Sequence, residues 1–413
     1  MATFSVSIDN SEVKDDTLDF VISGQDDYGL DKSIVNSLRR TLMTEIPCVG
    51  FRVEEGTRKD IHIEINNSSL HNEFLMHRIS LIPLYLNPEE YEQQYLFYLN
   101  VKHDSKESFK FITTDDIQIL PLRPEINLEE VEMSIDNYDF TKPLSKQKHA
   151  EIFRPFTFRG KAQPILITEL KATDSEDKIQ EIVLYGVPSV SDGREHARWK
   201  CVSKAVYSYL ENEELFKSVA EDKASIAKII DDEDKEKFIQ SLYLSEGERY
   251  YWRDVNDEPF KYNFSITSVN YYRPKELFIK ANELMIEKLE LFKEHFINMV
   301  KGGDTTVLLE PCEKENVYRF KVCGQNDTLG KVVQSHIVNH FIDEKSLVNF
   351  CGYKKSHPLE EYITFTFALN PSNKTFGKSE ESKLNAIIKY IDEVISDLVK
   401  HYELIIDEAN KSL

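Results

Sequence analysis

The stretch FVISGQDDYGLDKSIVNSLRRTLMTEIP, Phe20 to Pro47, decides how the rest of the chain is read. Leu18, Phe20 and Ile22 alternate, which predicts a strand over residues 17–23. Gly24 and the QDDYG segment turn the chain. Asp31 is placed to cap a helix, with Leu30 and Val35 as a hydrophobic staple. Ile34, Val35, Leu38, Leu42 and Ile46 fall within an arc of about 120° around that helix, and Pro47 ends it. Arg39 flanks the arc, whereas Arg40 points well away from it. The alternative is an ordinary surface helix with two solvated arginines. A related stretch, FKVCGQNDTLGKVVQSHIVNHFI, runs from Phe320 to Ile342. Phe20 and Phe320 lie 300 positions apart, as do Gly24-Gln25 and Gly324-Gln325 (324 − 24 = 300). Two copies of one strand–helix unit predict a chain that is its own pseudo-dimer.

Composition narrows the function classes. The 413 residues suffice for two or three domains, and 41% hydrophobic with 30% charged residues is the balance of a folded soluble protein. Lys and Arg number 51 against 72 Asp and Glu, a net charge of −21, which speaks against tracking a phosphate backbone directly. Cys48, Cys201, Cys312, Cys323 and Cys351 are dispersed with no CxxC pair, which predicts free thiols and no zinc site. No signal peptide or membrane-length apolar run is visible, so an intracellular setting is expected.

From Val49 to Trp199 short β-like runs follow one another: FRVEE, DIHIEIN, YLFYLNV, ILITEL and IQEIVLYGV. They predict a mostly β domain. Within it Glu73, Phe74, His77 and Arg78 fit a short helix, and residues 127–148 a loop. Cys201 to Leu210 and Phe260 to Val269 are predicted strands, separated by a charged stretch of helical period, Asn212 to Leu244. A long helix starts at Pro274 with the stripe Phe278, Ala281, Met285, Leu289, Phe292 and Phe296. Lys301-Gly302-Gly303-Asp304 is a linker signal. Beyond it Val317 to Cys323 predicts a strand and Asp327 a helix cap. Ser346 to Cys351 and Tyr362 to Leu369 predict two more strands. The closing helix carries Leu384, Ile387, Ile388, Ile391, Ile395, Leu398, Tyr402 and Ile405. Strand, helix, strands, helix is also the order of the outer parts of the first three hundred residues.

Four motifs, in order along the chain, carry a resemblance. They are NSLRRTLMTEIP (Asn36 to Pro47), LHNEFLMHRISLIPL (Leu70 to Leu84), EHARW (Glu195 to Trp199) and FCGYKKSHPL (Phe350 to Leu359). Together they resemble the α-like assembly subunits of multisubunit RNA polymerases. The first part is similar to the bacterial alpha N-terminal domain or the eukaryotic third subunit, and the last to the eleventh subunit. The arrangement resembles the fused third/eleventh-type subunit of large DNA viruses of eukaryotes. The family's third-type Cys cluster has no counterpart here, so no metal and no cofactor are expected. The eleventh-type H-T-L-G-N start is replaced by Asp327-Thr328-Leu329-Gly330-Lys331.

The resemblance implies an α+β fold of two alpha-like dimerisation units, with a mostly β domain inserted in the first. The divisions are 1–48 and 200–300 for the third-type unit, 49–199 for the insertion, 301–304 for the linker and 305–413 for the eleventh-type unit. The seam is expected at Ile34, Val35, Leu38, Leu42, Phe278, Met285, Leu289, Leu329, Val333, Ile388, Ile391, Ile395 and Leu398. Contacts to other subunits are expected at Arg39, Arg40, Glu73, His77, Arg78, Glu195, His196, Trp199, Tyr353 and His357. The implied role is a non-catalytic scaffold that joins the two largest subunits of DNA-directed RNA polymerase. The largest subunit would bind mainly the second half, and the second-largest with a small tenth-type zinc subunit the first. DNA would be met only through the complex, with no membrane and no homo-oligomer, in a virion and host cytoplasm or in a nucleus.

Other chemistry is thinner. Glu73 and His77 could act as an acid–base pair, with His196 nearby in a stand-alone enzyme. A free transcription regulator is a third class. His336 and His340 have the spacing of metal ligands, but Ile337 lies between them where a metalloprotease has Glu, so a helix surface is expected. Gly377-Lys378-Ser379 lacks the glycine of a phosphate loop at Ser372. Cys351 and His357 could be nucleophile and base, or residues of a strand and its loop.

Overall fold

A computed structural model of the chain describes residues 4–26, 29–53, 59–104, 107–122, 141–172, 179–229, 231–300, 305–312, 314–342, 346–373, 376, 377 and 379–413. The linker read at 301–304, Lys378, Glu54-Glu55 and most of the 127–148 loop lie outside the described residues. The first elements are β1 (Ser7–Lys14), β2 (Thr17–Ser23), α1 (Lys32–Thr44), β3 (Cys48–Gly50), β4 (Ile61–Asn66), α2 (Asn72–Ser80), β5 (Tyr95–His103), β6 (Phe109–Thr113) and β7 (Gln118–Pro121). Next come α3 (Lys146–Ile152), β8 (Phe156–Phe158), β9 (Lys161–Gln163), β10 (Leu166–Lys171), β11 (Gln180–Gly186), β12 (Ser189–Ser191), β13 (Val202–Tyr209), α4 (Glu213–Ile226) and α5 (Asp232–Glu246). The last are β14 (Lys261–Ser268), α6 (Pro274–Val300), β15 (Val307–Glu310), β16 (Val317–Cys323), α7 (Asp327–His336), β17 (Val348–Lys354), β18 (Tyr362–Leu369) and α8 (Glu380–Ser412).

Two compact units divide the chain. One comprises residues 1–43, 204–267 and 274–413, the other 44–203 with 268–273. The first unit holds two four-stranded sheets, ordered β1-β2-β14-β13 and β15-β16-β18-β17. Matched in sequence order, the two have the same strand order. A helix follows the second strand in each (α1, α7), and a long helix closes each (α6, α8). Phe20 pairs with Phe264, and Phe320 with Phe365, in the same place of the two sheets. Gly24 N–H donates to Phe260 at 2.8 Å, and Gly324 N–H to Glu361 at 2.6 Å. The glycines serve different needs. A side chain at Gly24 would meet Leu30 N at 2.2 Å, whereas Gly324 has open space but a φ of +70°. β1 and β15 had no apolar alternation strong enough to be read from sequence; both are edge strands with mostly exposed residues.

The long helices cross from one sheet to the other. The N-terminal half of α6 sets Phe278 against Phe20 and Phe264, at ring distances of 5.0 and 5.8 Å. Its C-terminal half sets Phe292 against Phe365 at 5.6 Å and Phe296 against Phe320 at 5.1 Å. α8 packs against α6 and runs the opposite way: Lys275 donates to the Asn410 carbonyl, and Lys293 pairs with Asp392 at 3.3 Å. Near the end of α8, Phe4 stacks on His401 at 3.9 Å and Ser11 donates to the Ser412 carbonyl.

The read arcs are buried. Ile34, Val35, Leu38, Leu42, Phe278, Met285, Leu289, Leu329, Val333, Ile391, Ile395 and Leu398 are each at most 2% exposed. Ile388 is only half-buried; Ile387 takes the inward place on that turn. Two caps differ in kind: Asp31 accepts from Ser33 N–H at 2.6 Å, but the cap of α7 is Asn326, not Asp327. Asn326 accepts from Thr328 N–H, and Asp327 becomes the first helical residue, where its charge suits the helix N-terminus. After α7 a π-helical turn, Ile337–Phe341, carries the chain on.

The expected helix surface at His336 and His340 is corrected. His336 is 2% exposed and bonds Asp397 of α8 at 3.1 Å. Its ring meets those of His340 and His401 at 5.1 and 5.0 Å. Burial pushes His340 down to about 4 and lowers His401, helped by the neighbouring His336. Asp397 is held below its usual range by its bond to His336.

In the second unit β4-β11-β5-β7 form one sheet, with β10-β6, β12-β3 and β8-β9 as two-stranded pairs. Leu75 and Ile79 of α2 join Phe51, Leu99, Ile182 and Leu184 in its core. Phe51 to Val53 is not a strand as read; the β pairing there comes earlier, at Cys48–Gly50 with Ser189–Ser191. Phe51 instead fills the core, which accounts for its apolar signal. The end of the 127–148 stretch is helical, since Ser145 caps α3.

Two outcomes are expected. Leu38→Ala should cost about 2–5 kcal/mol in denaturant unfolding, and an unchanged midpoint would mean that this arc packs on nothing. Acid should also destabilise the chain. The unfolded histidines take up protons as pH falls through their ordinary value of 6.5, while His340 stays neutral until about 4 and His401 is likewise lowered, so stability is lost across that window. Asp397 adds a loss in the same direction at lower pH. His401→Gln should shrink the drop in melting temperature between pH 7 and pH 5; an identical drop would remove the cluster as its source.

Candidate functional site

Along α1 the buried apolar arc is edged by a polar row. Asp31 uses one carboxylate oxygen for its own helix and the other for Ser335 and Asn339, at 2.7 and 2.8 Å. Ser37 donates to the Ile34 carbonyl and shares a 2.7 Å hydrogen bond with the Tyr402 hydroxyl, both residues buried. Arg40 Nε donates to Thr328 Oγ1 at 2.7 Å. Asp31, Ser37 and Arg40 thus bind the first strand–helix unit to the last hundred residues by groups with fixed geometry. Burying such groups unpaired would be costly, so they select one docking of α1 on α7 and α8.

Arg40 is therefore not turned outward as the helical arc implied. Its side chain is long enough to reach round from the flank of the arc to the start of α7. Burial, with the Arg40 guanidinium beside it, lowers the half-hidden Lys288 ammonium to about 8. Arg39 stays on its own helix, bonded to Asn36 at 3.0 Å. Tyr353 packs on α7, where a Cβ on Gly330 would come within 2.6 Å of its ring. That close approach is what the Thr328-Leu329-Gly330 segment provides. Cys351 is buried and its thiol pushed up to about 12, while His357 is exposed and accepts from Leu359 N–H; no nucleophile–base pair forms there.

In the second unit the EHARW residues brace their own surroundings. Glu195 takes Arg52 in a two-pronged pair, at 2.5 and 2.8 Å, and also accepts from Ser191. The Arg52 guanidinium holds its carboxyl down at about 2. His196 accepts from Arg198, whose guanidinium donates to the Phe51 carbonyl at 2.9 Å. Trp199 is fully buried, with Gly50 against its ring. Trp199 has no surface to offer another chain, and Glu195 and His196 are already engaged. An aromatic after a charged turn looks alike from sequence whether it anchors inward or outward.

The exposed face of α2 is different. Glu73 and His77 are exposed, with Phe74 between them 67% exposed, and Leu81 after them 50% exposed. Arg78 is spent on the unit itself, donating to the Ile167 and Leu166 carbonyls at 2.7 and 3.2 Å. Phe74 was legible as helical but not as an outward apolar residue. Glu73 and His77 on this face and His196 beside Arg198 form no catalytic cluster. Among the described residues no group of three or more His, Cys, Asp or Glu could hold a metal ion.

The model of the RNA polymerase Rpb3/Rpb11 dimerisation domain matches residues 27–289, more than half of the chain. The chain is 26% identical over 297 residues to the Dictyostelium discoideum DNA-directed RNA polymerases I and III subunit rpac1, covering 66% of this chain and 78% of that one. It is 23% identical over 292 residues to the Schizosaccharomyces pombe DNA-directed RNA polymerase II subunit RPB3, covering 67% and 82%. A third relative, subunit 3 of DNA-directed RNA polymerases II, IV and V of Arabidopsis thaliana, is 38% identical over 73 residues, 18% of this chain and 19% of that one. With its match extending from before α1 into α6, the chain belongs to the RNA polymerase Rpb3/Rpb11 dimerisation domain family.

Proposed function

We propose that this chain is a non-catalytic assembly subunit of a DNA-directed RNA polymerase in which a third-type and an eleventh-type unit are fused into one pseudo-dimer. The observation that carries the reading is the antiparallel crossing of α6 and α8, with α6 seated on the aromatic residues of both sheets. The family match supports the first half of the reading. The eleventh-type half rests on the repeated strand order and on Gly352-Tyr353 with His357-Pro358. The compact unit of residues 44–203 and 268–273 supports the reading of an inserted, mostly β domain. Fusion replaces a bimolecular association by an intramolecular one, which removes the entropic cost of bringing two chains together.

The proposed partners are the two largest polymerase subunits, with a small tenth-type zinc subunit on the first half. The exposed α2 face, Glu73, Phe74 and His77, is the surface we assign to them, together with Arg39 and His357. Arg40 and Tyr353 belong to the seam instead. A viral setting, in virion and host cytoplasm, is proposed on the fused arrangement alone.

Affinity purification of the tagged chain from its native source tests the function. Recovery of two very large subunits with DNA-dependent RNA synthesis is the expected result; a lone chain at physiological salt would overturn it. The seam and the docking face separate by mutation. Arg40→Ala should cost the isolated chain about 1–2 kcal/mol, read by denaturant unfolding. Phe74→Asp should leave its unfolding unchanged and reduce recovery of the large subunits. If Phe74→Asp recovers them fully, the α2 face is not the contact.

A further inference from the structure

Between β13 and β14 the chain makes a two-helix hairpin, α4 and α5, that the scaffold reading leaves unused. A charged stretch of helical period was legible here. The break after Ile226, where Lys228 takes a φ of 55°, was not. α5 has no buried residue, although it carries Phe238, Ile239, Leu242, Tyr243 and Leu244. Isolated helices of about 15 residues are marginal in water, and packing of an apolar face normally supplies the difference. Part of that face meets α4, where Tyr243 crosses Phe216 at a ring distance of 5.4 Å. The rest lines an open groove of about 550 Å³, walled by Phe216, Ile239, Tyr243 and Leu244 with Glu213 and Lys217 at its edge. Leu244 is 86% exposed.

The surroundings of the groove are acidic. Residues 211–249 contain twelve Asp and Glu against six Lys and Arg. Three of the lysines are already paired inside the hairpin: Lys217 with Glu213, Lys223 with Glu246 and Lys237 with Glu233. Four of the twelve acidic residues, Asp231 to Asp234, are consecutive at the start of α5. A second copy of the chain would bring these carboxylates against their like, and a nucleic acid would bring phosphates against them.

We propose that the α4–α5 groove is a docking site for an amphipathic helix of another protein, apolar on one face and lysine- or arginine-rich on its flanks. Helices of this kind lie in grooves by residues spaced three and four apart, while opposite charge fixes their orientation and speeds encounter. The proposal is independent of the polymerase assignment, because its test uses the isolated full-length chain.

The probe is a fluorescent synthetic helix of leucine and lysine, with leucines at i, i+3, i+4 and i+7, and a companion with glutamate in place of every lysine. The lysine probe should bind, the glutamate probe should not, and binding should weaken as salt rises. Leu244→Glu, at a position too exposed to disturb folding, should weaken the lysine probe about tenfold or more. Circular dichroism of the variant checks that the hairpin is intact. Equal binding to Leu244→Glu would assign the attraction to net charge and overturn the site. So would absence of binding by the lysine probe, equal binding by the glutamate probe, or a concentration-dependent dimer that Leu244→Glu dissolves.

Discussion

Everything in the first unit depends on two long helices lying side by side in opposite directions. Each four-stranded sheet has one face that must be covered, and the helix following its second strand is too short to cover it. α1 spans Lys32–Thr44 and α7 only Asp327–His336. α6 is 27 residues long, about 40 Å at 1.5 Å per residue, enough to serve both sheets. α8 is longer still, at 33 residues, and its ends reach Tyr318 by Glu380 and Ser11 by Ser412. Neither sheet has a complete core without residues from the other half. The two sheets share a hydrophobic interior in this way, and the polar row at Asp31, Ser37 and Arg40 fixes how α1 docks on it.

The repeat shows how one architecture is reached by different local solutions. Phe20 and Phe320 occupy the same place and face phenylalanines on the neighbouring strand. Gly24 and Gly324 both donate to the strand beside them, yet one is required by a crowded neighbour and the other by a left-handed backbone. An asparagine caps one short helix and an aspartate the other. Each position answers to its own surroundings, while strand order and helix placement answer to the shared need to close a core.

What was legible in the sequence was whatever has a period. The arc of α1, the stripe of α6 and the alternation of β18 all translate directly into buried faces, since burial repeats every 3.6 or 2 residues. The edge strands β1 and β15 escaped because an exposed edge needs no apolar alternation. Arg40 was misplaced because the direction of a Cβ says little about where a guanidinium several bonds away will end. Trp199 reads as outward because an aromatic in a charged turn has the same letters whichever way it faces. His336 was assigned to a surface because a buried histidine paired with Asp397, sixty-one residues on, leaves no local trace. On the proposed function, the docking face is Phe74 and its neighbours, where the informative signal is an apolar residue on the wrong side of a short helix.

The pairing of β2 with β14 joins Phe20 to Phe264, across 244 positions (264 − 20 = 244). The second sheet, by contrast, is assembled from residues 307–369 alone. Closing a flexible loop costs free energy that grows only logarithmically with length, but contacts so far apart slow the search for them. A ribosome releases Phe20 long before its partner strand exists. The first strand–helix element must therefore wait until residues 44–203 of the other unit, and the chain up to β14, have been synthesised. The last hundred residues, which supply the cover for α1, arrive at the end, so the apolar arc of that helix lacks its cover for most of synthesis.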